Sequence, residues 1–113
     1  RVELVTPDYY AQDLVHQQRI DAEQRAMANP ATISHDDAAR AISIALPQTD
    51  ATGTITLYRP SDLSLDREYA IALDANGRQV IPAADLAPGL WRVRVSWTAN
   101  GDAFFQEEKV LIP

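Results

Sequence analysis

Two hydrophobic rhythms divide the chain: apolar residues fall at helical spacing up to residue 29 and alternate with polar ones after Pro30. Thr6-Pro7-Asp8 reads as a helix start, because threonine can cap free backbone amides, proline suits the first helical position and aspartate complements the helix dipole. Residues 9–27 contain neither glycine nor proline, and Asp21 stands four residues before Arg25, a spacing that supports a helix. Asn29-Pro30 ends it, so the predicted helix has about 20 residues and a length of about 30 Å. At 100° per residue, Tyr10, Ala11, Leu14, Val15, Ala22 and Ala26 share one broad arc, while Tyr9, Ile20 and Met27 lie nearly opposite. The first arc is expected to face the protein's own body, and the second is left for solvent or a partner.

Beyond Pro30 the period is two. Ile42, Ile44 and Leu46 alternate with Ser43 and Ala45, as do Ile55 and Leu57 with Thr54, Thr56 and Tyr58, and Tyr69, Ile71 and Leu73 with Ala70 and Ala72. Trp91, Val93, Val95 and Trp97 point one way while Arg92, Arg94, Ser96 and Thr98 point the other, which demands one dry and one wet face. Strands are predicted near residues 31–35, 40–46, 54–59, 68–74, 78–81, 90–98 and 103–112. About seven strands at this spacing predict a mainly β fold, an immunoglobulin-like antiparallel β-sandwich preceded by the N-terminal α-helix. The division expected is a helix over 1–30 and a sandwich over 31–113. Residues 60–66 and 82–89 are expected to be the longer connections that cross between sheets.

Asn76-Gly77 and Asn100-Gly101 each suit a two-residue hairpin turn, in which both central residues take positive φ. The first sets Leu73 against Val80. The second sets Trp97 against Phe104 and Arg94 against Glu107, but it also puts Glu108 opposite the core residue Val93. Either a bulge within residues 105–109 restores the parity, which is the expectation, or the last strand is an edge that turns a charge inward against aggregation.

Composition narrows the function more than it names it. The chain of 113 residues is one domain in size, and its 46% apolar content excludes a disordered tail or a collagen-like rod. Of those apolar residues 18 are alanine and only eight are aromatic, so bulky core groups must be concentrated in a few strands. A net charge of −6 disfavours nucleic acid as a partner. The absence of cysteine removes disulfides, thiolate metal sites and a cysteine nucleophile. No run approaches the roughly 20 consecutive apolar residues of a membrane span. The chain opens on Arg1 and its sole methionine is Met27, so the natural start is expected to lie upstream, where a signal or anchor would sit.

Candidate chemistry is sparse. His16 and His35 are the weak metal candidates, with Met27, Asp36 and Asp37 nearby in type, but no HxxxH or HxH spacing preorganises a chelate. Asp36 beside Asp37 and Glu107 beside Glu108 are sequence neighbours, which a strand would point to opposite faces. No nucleophile elbow, phosphate loop or HExxH motif is present. The expectation is a protein without catalytic residues, metal or cofactor. Arg92, Arg94 and Lys109 form a small basic patch on the outer face of the last hairpin, which Glu107 partly neutralises.

The order of motifs carries further. Val5-Thr6-Pro7-Asp8-Tyr9-Tyr10 leads into a polar helix. Leu57-Tyr58-Arg59-Pro60 follows, with Asp66 six residues after the proline, and then the run Ala87-Pro88-Gly89-Leu90-Trp91-Arg92-Val93-Arg94-Val95-Ser96-Trp97. Together they resemble the FixH family, also called CcoH, over nearly the whole chain. Where that family commonly has histidine before the proline, this chain has Arg59.

The resemblance implies a non-enzymatic assembly factor of nitrogen-fixation and respiratory systems, with a single N-terminal inner-membrane span and this domain in the periplasm. It implies a part in making the cbb(3)-type cytochrome c oxidase, beside a copper-transporting ATPase and an iron–sulfur membrane protein. Oxidase subunits and the copper ATPase are the partners expected, and Tyr9, Tyr10, Ile20 and Met27 are the contact residues expected. The alternative is a free extracytoplasmic sandwich that binds a metal or a carbohydrate.

Overall fold

The computed structural model describes residues 2–113, with side chains from residue 15 onward. One helix, α1 (Val2–Ala28), precedes seven strands: β1 (Thr32–Asp36), β2 (Ala41–Ala45), β3 (Thr52–Arg59), β4 (Asp62–Ala70), β5 (Arg78–Pro82), β6 (Gly89–Ala99) and β7 (Asp102–Ile112). They form a three-stranded sheet, β1-β2-β5, and a four-stranded sheet, β4-β3-β6-β7, with every pair antiparallel. This is an immunoglobulin-like sandwich in which β4 pairs with β3, whereas constant-type domains keep the fourth strand on the sheet of the first, second and fifth.

The alternation read along β6 builds the interior. Trp91, Val93, Val95 and Trp97 are essentially inaccessible and face Ile42 and Ile44 of β2, Ile55 and Leu57 of β3 and Ile81 of β5 in one cluster. Both indoles can be buried because each N–H finds an acceptor. Trp91 Nε1 donates to the Ala87 carbonyl at 2.8 Å, and Trp97 Nε1 donates to Gln48 Oε1 at 3.0 Å. Trp97 also stacks on Phe104, with ring centroids 5.1 Å apart and planes 8° from parallel. Gly53 lies opposite Trp97 with a φ of 145°, and a Cβ there would overlap the Ser96 carbonyl oxygen.

Turn chemistry fixed one hairpin as expected and misled on another. Asn100 and Gly101 have φ of 54° and 82°, so the β6–β7 turn is type I′, and Trp97 pairs with Phe104 and Arg94 with Glu107. The expected bulge is absent: pairing runs without a shift from Ala99 and Asp102 to Gly89 and Ile112, with Glu108 opposite Val93. β7 is an edge strand, so the inward parity of Gln106 and Glu108 is tolerated at the rim of the sandwich. Asn76-Gly77 does not join two strands of one sheet. There the chain crosses from β4 to β5, and the turn is closed by Asp74, whose N–H donates to the Arg78 carbonyl and whose Oδ1 accepts from the amides of Asn76 and Arg78. The expected pairing of Leu73 with Val80 therefore fails. Val80 pairs with Ser43, and Leu73 packs on the core from outside any strand.

Residues 60–66 are likewise not a crossing connection. A tight turn at Pro60-Ser61 starts β4 at Asp62, within the same sheet as β3. The register slips between the Leu57–Arg67 pair and the Arg59–Asp62 pair, so β4 bows out and leaves Leu63 and Leu65 exposed. Residues 82–89 do cross between the sheets, as expected.

α1 begins at Val2 rather than Thr6, so Thr6-Pro7-Asp8 lies inside it. A proline this near a helix start forgoes one backbone hydrogen bond, and the helix continues through it. The helix packs on β7 through Ala22 and Ala26, both buried as their shared arc predicts. Val15 belongs to the same arc but is 64% exposed. Gln18 and Asp21 already lie beside Gly101 and Asp102 at the hairpin tip, so earlier turns run past the sheet.

Two glutamines link segments that no strand pairing joins. Gln106 Oε1 accepts from the Ala31 amide at 2.8 Å, and its Nε2 donates to the Ala31 carbonyl at 2.9 Å. On the opposite rim Gln79 Oε1 accepts from the Ala72 amide at 2.7 Å, and its Nε2 donates to the Ala70 carbonyl at 3.2 Å. Each side-chain amide replaces one peptide group of a missing strand. Gln106→Leu should strand both polar groups of buried Ala31 and cost about 2 kcal/mol in chemical denaturation. A change within about 0.5 kcal/mol would mean that water replaces the glutamine.

Candidate interaction surface

The outward face of the four-stranded sheet carries a cluster assembled from three adjacent strands and the helix. Tyr58 comes from β3, Arg92 and Arg94 from β6, Phe105 and Glu107 from β7, and Arg19 from α1. Alternation places them there, because each strand residue has the parity opposite to its buried neighbours. Glu107 is the hub, with a side chain 19% exposed. One carboxylate oxygen accepts from Arg92 Nη1 at 2.8 Å and from the Tyr58 hydroxyl at 3.1 Å, and the other accepts from Arg94 Nη2 at 3.1 Å. The Arg94 guanidinium also lies 5.0 Å from the Tyr58 ring centroid and 5.5 Å from that of Phe105, while Arg19 sits 4.2 Å from the Phe105 centroid. Arginine, tyrosine and phenylalanine held rigidly at a surface are the residue types that dominate protein contacts.

Burial raises the Glu107 carboxyl, but the hydrogen bonds from Arg92, Arg94 and Tyr58 and the charge of Arg94 outweigh it, so the group lies below its ordinary value of 4.5. A carboxyl depressed on folding contributes stability above its unfolded pKa, and that contribution is lost as pH falls through the folded value. Thermal melts should therefore lose stability through this group below pH 4.5. Glu107→Gln should be less stable at neutral pH and show a shallower loss in acid. Parallel profiles for the two proteins would place the acid sensitivity elsewhere.

Next to this cluster a groove of about 290 Å³ separates the last turns of α1 from the middle of β7. Glu23, Met27 and Pro30 form one wall, and Phe105, Glu107 and Glu108 the other. Arg25 Nη1 donates to the Ala103 carbonyl at 2.9 Å and ties the helix to the edge of β7.

Two of the residues expected to make contacts, Ile20 and Met27, have described side chains. Met27 is 80% exposed at the groove, whereas Ile20 is half-buried on the helix. Tyr9 and Tyr10 have side chains outside the described residues. His16 is exposed on α1, far in sequence from His35, which lies in β1. The His35 side chain is 10% exposed and its Nδ1 is 2.6 Å from Asp37 Oδ1. Among the described residues, no three histidine, aspartate or glutamate side chains converge to hold a metal. Arg59 lies over Trp91 at 5.6 Å and against Gly89.

Sequence reasoning found Arg92, Arg94, Lys109 and Glu107, because the Asn100-Gly101 turn sets their register. It missed Tyr58 and Phe105, although their parity opposite Leu57 and Phe104 was available as a signal. Nothing in the sequence points to Arg19.

No described helix is long and apolar enough to cross a membrane. Neither the curated proteins nor the solved structures include a match to this chain. A family model, FixH, matches residues 1–111. The cluster beside α1 is therefore a surface of an accessory protein of the FixH kind, and the chain belongs to the FixH family.

Proposed function

We propose that this domain acts in the biogenesis of cbb(3)-type cytochrome c oxidase by holding a protein partner, without catalysing a reaction. The match to FixH across residues 1–111 is the observation that carries this reading. The rigid arginine–aromatic cluster supports it, since it offers a contact surface rather than a reaction centre. In this reading an N-terminal span holds the domain at the periplasmic face of the inner membrane. Tethering raises the effective concentration of a weak contact surface to the millimolar range. Oxidase subunits and a copper-transporting ATPase are the partners proposed, and copper is cargo of the pathway rather than a resident of this chain.

Deletion of the gene tests the reading. Membranes of the deletion strain should lose assembled oxidase, measured by activity and by haem and copper content, and the gene carried with its natural upstream sequence should restore it. Recovery of the deletion strain on added copper would place the role at copper delivery, and recovery only with the gene would place it at subunit assembly. Normal oxidase in the deletion strain would remove the proposed function.

A further inference from the structure

We propose that the free edge of β7 at residues 107–111, continuous with the groove under α1, receives an extended basic segment of a partner protein by strand addition. The inference rests on the contact role proposed above and names the occupant.

The sandwich has four strand edges, and three are poor templates. β1 and β5 are five residues long, and the Gln79 side chain holds the 70–72 segment alongside β5. β4 is nine residues long but bows where its register with β3 slips, between the Leu57–Arg67 and Arg59–Asp62 pairs. β7 has eleven residues and pairs with β6 without a bulge.

The two-residue turn fixes which of its backbone groups are free. Ala99 and Asp102 flank the turn as a hydrogen-bonded pair, so even-numbered residues of β7 bond to β6 and odd-numbered ones point away. The Ala103 carbonyl confirms this parity, because it turns outward to accept from Arg25. Glu107, Lys109 and Leu111 follow the same parity. Among the described residues their amides and carbonyls have no backbone partner. α1 covers the edge near Ala103 and Phe105, β1 also approaches β7, and the groove opens between the last turns of α1 and residues 105–108.

Charge selects the occupant. Glu23 and Glu108 line the groove, and no arginine or lysine pairs with either among the described residues. Exposed Met27 and Pro30, on the same wall as Glu23, supply apolar contact for one side chain. Lys109 and Glu108 disfavour an uncharged apolar strand, as edge charges do. A second copy is a poorer fit. Antiparallel self-pairing centred on residue 108 sets Glu108 against Glu108, and pairing centred on residue 109 sets Lys109 against Lys109. An extended segment that carries both basic and apolar residues meets Glu23 and Glu108 with its charges and Met27 and Pro30 with an apolar side chain.

The test uses a short synthetic peptide of alternating lysine and valine, with a glutamate–valine peptide as control. The lysine peptide should bind and slow amide exchange at Glu107, Lys109 and Leu111. Lys109→Pro removes an outward amide that β6 does not use, a position where an edge strand accepts proline. It should weaken binding about tenfold or more while the melt stays cooperative. Should that variant unfold, Glu23→Lys with Glu108→Lys serves instead and should reverse the preference toward the glutamate peptide.

Equal binding of the two peptides, protection at β4 in place of β7, or protection of the β7 edge by self-association would overturn the proposal. These outcomes are separable from failure of the biogenesis role. Normal oxidase in the deletion strain would leave peptide binding at β7 measurable, and absent peptide binding would leave the deletion phenotype intact.

Discussion

Gly53→Ala is expected to be the most damaging single-methyl change in the domain, at about 3 to 5 kcal/mol. The residue sits in β3 opposite Trp97 of the neighbouring central strand, with a φ of 145° that residues with a Cβ rarely adopt. The added carbon would overlap the Ser96 carbonyl oxygen and come within 2.9 Å of the Trp97 Cα. Both atoms are backbone, so no rotamer change relieves the overlap, and β3 must part from β6 beside Trp97. Gly101→Ala is the control. Its φ is 82°, but nothing lies within 4 Å of the new carbon, so only the left-handed backbone penalty of about 1 to 2 kcal/mol applies. Denaturant unfolding of the two variants separates the effects, and equal losses would show that Gly53 is required for its conformation alone.

Trp91→Ala should cost a similar amount, about 3 to 5 kcal/mol, for a different reason. The indole is 1% exposed and lies among the cluster shared by both sheets, so its removal leaves a cavity that strands on two sides cannot close. It also releases the Ala87 carbonyl from its donor and takes away the surface over which the Arg59 guanidinium lies. Trp91→Phe keeps much of the volume and loses only the N–H, so it should recover most of the stability, ending within about 2 kcal/mol of the parent. A loss below about 1 kcal/mol for the alanine variant would mean that the interior repacks around the gap.

The legibility of this fold in its sequence follows from what each strand faces. β6 was readable because both of its neighbours are strands and one face is dry, which forces strict alternation from Trp91 to Trp97. Its hairpin was readable because Asn100 and Gly101 leave a single register. β4 was not, since Leu63 and Leu65 stay exposed where the strand bows out, and the polar residues around them look like a loop. Ile71 and Leu73 alternate as a strand does, but their backbone is held by Gly53 and Gln79 while the chain changes sheets. The bulge expected in β7 was the wrong resolution of a real conflict, because Glu108 lies on an edge strand, where it stays exposed opposite Val93 and accepts from Gln106 Nε2.

The candidate surface divides the same way. Pairing of Arg94 with Glu107 is local to one hairpin, whereas Tyr58 reaches the same carboxylate across 49 residues and Arg19 arrives from a separate helix. Contacts of that range depend on the assembled sheet, which no local pattern encodes.

The clasp between Gln106 and Ala31 spans 75 residues, so its two halves leave the ribosome far apart in time. The leading helix is made first, yet its seat does not exist until the final strand has been added. Newly synthesised chains should gain helix–strand protection in pulsed exchange no sooner than the β6–β7 hairpin closes. Orientation of the N-terminal arm is thereby a late event in the life of each molecule, a signal that the rest of the domain is complete.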